Sequence, residues 1–198
     1  MNPIEKNEDY FFLKEIFTDP EVMKTSTFFA CDIPETERDL HLAMISATES
    51  DKEFQKDYGL QKVWHTDLQE YIGVAGPVRR EKYNESNYIT EGLIFLKSKY
   101  LGSGIGFWVE KFVFKIFGKP NDIIIASAWA GNMPAIRLMK KNGMKFTGKD
   151  FKSYNGKKIE IELYFKIHSS ISEGNVIPFS NIKQFLTFDK VEKLAKAS

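Results

Sequence analysis

The chain has 198 residues, of which 42% are hydrophobic and 14% aromatic, and its 28 Lys and Arg residues almost balance its 27 Asp and Glu residues. This length and apolar content predict one folded domain with a sizeable core and exclude a globally disordered chain. The near-zero net charge excludes a global field that attracts nucleic acid or an anionic membrane, so we expect neither as a partner.

The N terminus and the cysteine content indicate where the protein resides. The segment from Met1 to Phe17 carries acids where a signal peptide has a basic region, and no apolar run approaches the ~18 residues of a membrane span. Cys31 is the single cysteine, which excludes an intrachain disulfide and suits a reducing compartment. We therefore expect a cytoplasmic protein without a targeting segment or membrane insertion.

The first third of the sequence is predicted to be helical. Asn7 or Asp9 can cap a helix that continues to Phe17, and residues 19–21 (Asp-Pro-Glu) place a cap, a proline and an acid at a second helix start. A third helix is predicted over residues 35–48, where apolar side chains recur at spacings of three and four. That apolar stripe is expected to pack on a sheet.

From residue 58 onwards the pattern changes to strands. Strands over residues 58–66, 71–78 and 88–96 form an antiparallel meander. After a glycine-rich loop, a helix is predicted to about residue 117, followed by an almost continuously apolar strand over 123–129. Such a strand is typical of parallel pairing with both faces buried.

The final predicted elements complete a mixed fold of the α+β class. A short helix over 134–142 follows a capping residue, Asn132, and ends at Gly143, which suits a position with positive φ. Strands over 144–151 and 159–167 follow, joined by a turn that contains Asn155-Gly156.

The glycine-rich loop is the segment with the clearest chemistry, and its residues are Leu101, Gly102, Ser103, Gly104, Ile105 and Gly106. Backbone amides of such a turn converge at a helix N terminus, where partial positive charge favours a phosphate or pyrophosphate. A Walker loop is excluded because Phe107 and Trp108 follow it, and a dinucleotide fingerprint is excluded because the spacing is G-x-G-x-G and the next strand ends in Trp129. A simple turn without a ligand remains the alternative.

Two motifs resemble those of the GCN5-related N-acetyltransferases (GNAT), specifically the RimJ/RimL-like group. EGLIFL and YLGSGIG, at residues 91–96 and 100–106, are similar to the family's strand and acetyl-CoA loop. WAGNMPAIRLMKKNGM, at residues 129–144, resembles the family's Asn-x-x-Ser and Lys-x-Gly-Phe signature. DPEVM, at residues 19–23, resembles the group's early helix, so the similarity covers about residues 4 to 167.

The resemblance implies a GNAT acyl-CoA acyltransferase fold over residues 1–168, with a central mixed, mostly antiparallel sheet flanked by helices. Its fourth and fifth strands are expected to splay, so that pantetheine lies between them while the loop amides bind the pyrophosphate. The implied activity is direct transfer of an acetyl group from acetyl-CoA to a primary amine, on a protein N terminus or a small molecule. The implied cofactor-binding residues are Leu96, Leu101, Gly102, Ser103, Gly104, Ile105, Gly106 and Asn132.

Three positions depart from the family pattern. Leu101 replaces the loop's usual Arg or Gln, Ala135 a frequent Ser, and Met139 the Tyr that protonates the leaving thiolate in other branches. We expect Leu101 to lower cofactor affinity without abolishing binding, because the loop acts mainly through backbone amides. The departures motivate two alternatives, an acyl-CoA-binding module with little catalysis and a structural protein that retains the fold without the cofactor.

Glu91 is the candidate catalytic residue. Direct transfer requires a neutral amine, so a base must take a proton from the ammonium form of the acceptor. Glu91 resembles the family's recurrent glutamate and is predicted to act through a water molecule, whereas a solvated strand-edge glutamate is the alternative. Tyr154 and Tyr164 remain open candidates for a general acid.

The remaining features predict no metal site and leave the role of the C terminus open. His41, His65 and His168 lack the spacing of metal ligands. Residues 169–198 form a C-terminal extension with the apolar repeat of an amphipathic helix. This helix either docks on its own domain or forms a homodimer contact.

Overall fold

The computed structural model of the chain describes residues 2–3, 9–25, 60–82, 88–117, 122–154 and 157–167. Its helices are α1 (Tyr10–Phe17), α2 (Pro20–Met23), α3 (Ile105–Phe117) and α4 (Met133–Lys141). A short 3-10 helix, Ser98–Tyr100, precedes the glycine loop. The strands are β1 (Asn2–Pro3), β2 (Gln61–His65), β3 (Glu70–Lys82), β4 (Tyr88–Leu96), β5 (Ile123–Trp129), β6 (Lys145–Tyr154) and β7 (Lys157–Ile167).

The seven strands form one mixed sheet in the order β1-β2-β3-β4-β5-β7-β6. Every neighbouring pair is antiparallel except β4 and β5, which are parallel. The predicted meander corresponds to β2, β3 and β4, and the predicted strand, loop, helix, strand unit corresponds to β4, the glycine loop, α3 and β5. The α+β class with a mixed, mostly antiparallel sheet flanked by helices is confirmed.

One face of the sheet is covered by α3 and α4. Apolar side chains at spacings of three and four on each helix are buried against inward-facing strand residues, as expected for amphipathic helices on a sheet. This α3–α4 core includes Val109, Val113 and Phe114 from α3, Ile136 and Met139 from α4, and Ala75, Leu96, Ile124, Ala128 and Tyr164 from the strands.

The opposite face is covered by α1 and α2. Because successive side chains of a strand point to opposite faces, Leu93 and Phe95 of β4 lie on this side, whereas Ile94 and Leu96 lie on the other. This α1–α2 core includes the buried residues Leu13, Ile16, Phe17, Val22, Met23, Leu60 and Val74.

The predicted bounds of β4 and β5 are confirmed, whereas those of β3 are too short. β3 continues to Lys82 because the pairing with β4 shifts between Pro77 and Arg79 and then resumes. Such a bulge absorbs one extra residue and lets the ladder continue, a feature that a pattern of alternating residues does not reveal.

The start of α1 differs from the predicted cap, whereas the start of α2 agrees with it. Asp9 precedes α1, but its carboxylate accepts a hydrogen bond from Lys62 Nζ of β2 at 2.6 Å and none from the helix amides. This ion pair with the sheet therefore replaces the predicted cap. Asp19 caps α2 as predicted, because its carboxylate accepts from the Glu21 amide at 2.8 Å.

Several predictions fall on residues outside the described ranges. They are the Asn7 cap, the helix over 35–48, the positions of Cys31, His41 and His168, the Asn155-Gly156 turn, and the C-terminal extension over 169–198. Within the described ranges, no helix is long and apolar enough to cross a membrane.

Candidate cofactor-binding and active site

The parallel strands β4 and β5 separate partway along their length. Their ladder joins Ile89 to Ile123, Thr90 to Ile124 and Glu91 to Ile125, and no described pair follows, although β4 continues to Leu96 and β5 to Trp129. Over the same stretch β4 stays paired with β3, and β5 stays paired with β7. The result is a fork in the sheet whose inner edges are the peptide groups of two extended strands.

The glycine loop lies beyond the end of β4 and has the conformation that its glycines permit. Gly102 and Gly104 have φ of +76° and +85°, which L side chains rarely adopt. Gly106 already belongs to α3, where an added Cβ would make ordinary contacts with Leu138 at 3.5 Å and Leu96 at 3.7 Å. The backbone therefore requires glycine at positions 102 and 104 but has room for alanine at 106.

The loop is organised by Ser103 around the start of α3. The Ser103 hydroxyl donates to the Tyr100 carbonyl at 2.7 Å and accepts from the Ile105 amide at 3.3 Å. Within the described part of the chain, the amides of Gly104 and Gly106 have no backbone acceptor. These N–H groups at a helix N terminus fit an anion such as a pyrophosphate.

Asn132 caps α4, as predicted, and also contacts the other side of the sheet. Its Oδ1 accepts from the Ala135 amide at 3.1 Å, and its Nδ2 donates to the carbonyl of Thr25, just after α2. The helix ends as predicted at Gly143, with φ of +78°, and the Met144 amide donates to the Met139 carbonyl at 3.0 Å. These bonds use Oδ1 and one N–H of Nδ2, and the second N–H of Nδ2 has no partner among the described residues.

The two leucines among the predicted cofactor residues differ in exposure. The Leu96 side chain is buried in the α3–α4 core, so only its backbone faces the fork. Leu101 is 40% exposed at the first position of the loop. It offers no charge to a phosphate, which leaves anion binding there to the backbone.

Glu91 occupies the last ladder position before the fork opens. Its side chain is half-buried on the sheet face that carries Leu93 and Phe95. Within the described residues, no hydrogen bond or ion pair engages its carboxylate.

The structure supplies no hydroxyl at the two positions where the family signature often has one. Met139 is buried in the α3–α4 core, and Ala135 packs against that core. Tyr164 is also buried, and its hydroxyl donates to Glu162 at 2.6 Å. Burial, followed by the hydrogen bond to Glu162, raises the pKa of Tyr164 well above its usual value, which makes it a poor proton donor.

A buried polar cluster behind the loop has no counterpart in the sequence predictions. Glu110 of α3 is 4% exposed and accepts a hydrogen bond from Asn142 Nδ2, while Lys166 Nζ of β7 donates to the Asn142 carbonyl at 2.7 Å. Burial raises the pKa of Glu110 to about 7, although the Asn142 hydrogen bond and the Lys166 charge oppose the shift. The available signal was a single acid within an otherwise apolar helix face.

A second polar cluster lies at the entrance of the loop and was also missed. The Tyr100 hydroxyl donates to Glu70 Oε1, and Lys99 Nζ contacts both carboxylate oxygens of Glu70 at 2.9 and 2.8 Å. The bonds from Lys99 and Tyr100 lower the pKa of Glu70, whereas burial and the Glu70 hydrogen bond raise the pKa of Tyr100. Tyr100 therefore stays a donor and Glu70 an ionised acceptor at neutral pH.

Metal binding has no candidate among the described residues, where no three His, Cys, Asp or Glu side chains cluster. His65 is engaged locally, since its Nδ1 accepts from the Leu68 amide at 3.4 Å. The chemical groups along this segment are strand edges that can pair with an amide-bearing chain, loop amides that can bind an anion, and the carboxylate of Glu91.

The sequence matches one protein-family model over most of its length. Residues 1–145 match the Acetyltransferase (GNAT) domain. No curated protein matches the chain in sequence.

Solved structures share the fold at low sequence identity. A phosphinothricin acetyltransferase from Sinorhizobium meliloti in complex with AcCoA has 16% identity and a TM-score of 0.58, covering 84% of this chain and 89% of its own. A spermidine N-acetyltransferase from Vibrio cholerae in complex with CoA and spermine has 15% identity and a TM-score of 0.62, covering 85% and 94%. A ribosomal-protein-alanine N-acetyltransferase from Brucella melitensis has 15% identity and a TM-score of 0.58, covering 81% and 94%.

Proposed function

The chain belongs to the GNAT acetyltransferase family and uses acetyl-CoA as its cosubstrate, and from this premise we propose that it acetylates a primary amine by direct transfer, with Glu91 as the base. The observation that carries the proposal is the placement of Glu91 at the last ladder pair of the β4–β5 fork. The fork and the loop amides lie at the two ends of the segment from Glu91 to Gly106, which is the stretch that resembles the family's cofactor motif.

The residues present fit the cosubstrate at two places. The peptide edges of β4 and β5 past the fork can pair with the amides of pantetheine, and the amides of Gly104 and Gly106 can bind the pyrophosphate. Acetyl-CoA supplies an activated acetyl group as a thioester. We assign cofactor contacts to the backbone of Leu96 and of the loop from Leu101 to Gly106, and to Asn132 at the start of α4.

Glu91 supplies the proton transfer that the acceptor requires. An alkylammonium has no lone pair, so Glu91 takes its proton, directly or through one water molecule, before nitrogen attacks the thioester carbon. The bond from carbon to sulfur then breaks, the nitrogen loses its second proton to solvent as the amide forms, and the CoA thiolate leaves and is protonated by solvent. A thiolate is a good leaving group, so we assign no general acid.

Glu91→Gln tests the base. We expect kcat for CoA release to fall about 100-fold, because the amide cannot accept the proton, while KM for acetyl-CoA stays within about twofold. The residual rate should rise with pH as the free amine becomes more abundant. Initial-rate assays of CoA thiol release, with a panel of amines as acceptors, give kcat and KM.

Glu21→Gln is the matched control, because Glu21 is an exposed acid that pairs with Lys24 on α2. Turnover that is equal in Glu91→Gln and the wild type contradicts the base assignment. Tight binding of acetyl-CoA without thiol release for any amine favours instead the acyl-CoA-binding module, an alternative motivated by Ala135 and Met139.

We propose that the chain belongs to the RimJ/RimL-like group of the family, and this membership bears on the identity of the acceptor. It rests on the motifs at residues 19–23, 100–106 and 129–144, and it makes protein N-terminal amines the first acceptors to test. Polyamines are the second class, since the relative from Vibrio cholerae is a spermidine N-acetyltransferase bound to spermine. A cytoplasmic location belongs to the same proposal, and for residues 169–198 we retain both alternatives, a helix that docks on its own domain and a homodimer contact.

A further inference from the structure

The connector between β4 and the glycine loop is held from two sides. On the α1–α2 side, Lys97 Nζ pairs with Glu15 Oε2 at 2.8 Å, and the Ser98 hydroxyl donates to Asp19, which lowers the pKa of that carboxyl. On the β3 side, Lys99 and Tyr100 both donate to Glu70. Each residue of this four-residue connector thus has a polar contact with another element.

Glu70 is connected to the loop through Tyr100. Glu70 is the first residue of β3, and the Tyr100 ring that reaches it is buried in the α3–α4 core. The carbonyl of the same Tyr100 accepts the Ser103 hydroxyl at 2.7 Å, and that hydroxyl accepts the Ile105 amide at 3.3 Å. A series of hydrogen bonds, joined through the covalent frame of Tyr100, therefore leads from a sheet residue to the first amide of α3.

The position of this series explains why a tyrosine stands at residue 100. A phenylalanine would fill the same apolar space without requiring a partner for its hydroxyl, so core packing alone does not account for the hydroxyl. The loop that follows contains two glycines with positive φ, and glycine has the largest backbone freedom to lose on binding. An anchor at the loop entrance reduces the freedom that the loop loses when it binds an anion.

We propose that Glu70 is a positioning residue that presets the loop from Leu101 to Gly106 for the pyrophosphate by holding the hydroxyl of Tyr100. The inference rests on the proposed function, because it assumes that this loop binds the pyrophosphate of acetyl-CoA. Glu70 acts only through Tyr100 and does not contact the cosubstrate.

Two thioesters that differ in the pyrophosphate provide the test. Acetyl-CoA carries that group together with the 3′-phosphoadenosine attached to it, whereas S-acetylpantetheine lacks both. For Tyr100→Phe and Glu70→Ala we expect KM for acetyl-CoA to rise about tenfold with kcat within about twofold, the size of losing a hydrogen bond to a charged group. For S-acetylpantetheine we expect KM to be unchanged.

Two further variants separate the hydrogen bond from the surrounding charges. Glu70→Gln keeps an oxygen that accepts from Tyr100 and should restore most of the affinity for acetyl-CoA. Lys99→Met removes the ion pair with Glu70 and the Lys99 contacts with Tyr100 but leaves the hydrogen bond from Tyr100 to Glu70, so it should raise KM for acetyl-CoA less than Tyr100→Phe does. The Glu70 side chain is 33% exposed, so its variants test the inference even if Tyr100→Phe fails to fold.

The outcomes distinguish this inference from the proposed function. An equal rise in KM for both thioesters, or a lower melting temperature with an unchanged ratio of the two KM values, overturns the positioning role. A wild-type protein that turns over neither thioester with any amine overturns the proposed function instead, and the inference with it.

Discussion

The two faces of the sheet are built by different means. The α3–α4 face has helices of 13 and 9 residues and a buried polar cluster of Glu110 and Asn142, and it carries the loop that we assign to the cosubstrate. The α1–α2 face has described helices of 8 and 4 residues, joined to the sheet by ion pairs from Asp9 and Glu15. The loop that we assign to the cosubstrate thus lies with the longer described helices, whereas the Glu91 side chain lies on the face covered by the shorter ones.

Matched truncations of the two cores give the largest expected effects. Ile136→Ala in the α3–α4 core and Ile16→Ala in the α1–α2 core each remove a fully buried side chain. Each should lower the free energy of unfolding by roughly 3 kcal/mol, measured by urea denaturation. Only Ile136→Ala should also weaken acetyl-CoA binding in calorimetric titration. Equal losses of acetyl-CoA affinity in both variants would show that cosubstrate binding does not depend specifically on the α3–α4 core.

The buried carboxyl of Glu110 makes the α3–α4 face sensitive to pH. Its pKa is raised from the ordinary value of 4.5 to about 7 in the folded protein, so the folded state binds the proton more tightly than the unfolded state. The stability gained from that proton is complete below about pH 4.5 and is lost as pH rises through 7. Between pH 5 and pH 8 the loss should be roughly 2 to 3 kcal/mol.

Glu110→Gln isolates this contribution, because glutamine is neutral across the range. Its urea-unfolding free energy should decline less from pH 5 to pH 8 than that of the wild type, and Glu21→Gln on α2 should behave like the wild type. If Glu110→Gln and the wild type show the same slope, Glu110 does not titrate in this window.

Asn132 tests the connection between the two faces. Asn132→Ala removes the α4 cap and the bond to the Thr25 carbonyl, and should lower the free energy of unfolding by about 1 to 2 kcal/mol. Asn132→Ser keeps a capping oxygen and loses the donor to Thr25 without adding a charge, so its effect should be smaller. Thermal and urea unfolding measure both. Equal destabilisation by the two variants would mean that the cap contributes nothing.

The glycine loop gives the smallest effect on stability. Gly104→Ala places a side chain at φ of +85° and should lower the free energy of unfolding by about 1 kcal/mol. Gly106→Ala has room in α3 and should leave stability equal or slightly higher, because alanine favours a helix. Acetyl-CoA affinity, from titration calorimetry, should fall in Gly104→Ala and be retained in Gly106→Ala. The reverse order would contradict the backbone role assigned to Gly104.

Much of the fold could be predicted from local sequence because it depends on local chemistry. The bounds of β4 and β5 followed from apolar runs, and the start and end of α4 followed from Asn132 and Gly143. The β3 bulge could not be predicted in the same way, since it appears only when two strands are aligned. Asn7 and Asp9 stood as alternative caps of α1, and the contact of the Asp9 carboxylate with Lys62 could not be predicted because Lys62 is remote in sequence.

The candidate site divides along the same line. The loop glycines and Asn132 were recognisable because their roles depend on backbone conformation and neighbouring amides. The contacts of Glu110 with Asn142, and of Glu70 with Tyr100, join residues about 30 positions apart, which no spacing rule indicates. The role of Glu91 as a base and the role of the loop in cosubstrate binding stay predictions.

Only three ladder pairs join β4 to β5, so the sheet consists of two halves with a narrow connection between them. One half contains β1 to β4, and the other contains β5, β7 and β6. Long antiparallel ladders hold each half together. A ligand that lies in the fork and hydrogen-bonds to both inner edges therefore connects the two halves of the sheet. Binding of a ligand in the fork should reduce the motion of one half relative to the other. This reduction should extend to residues far from the thioester.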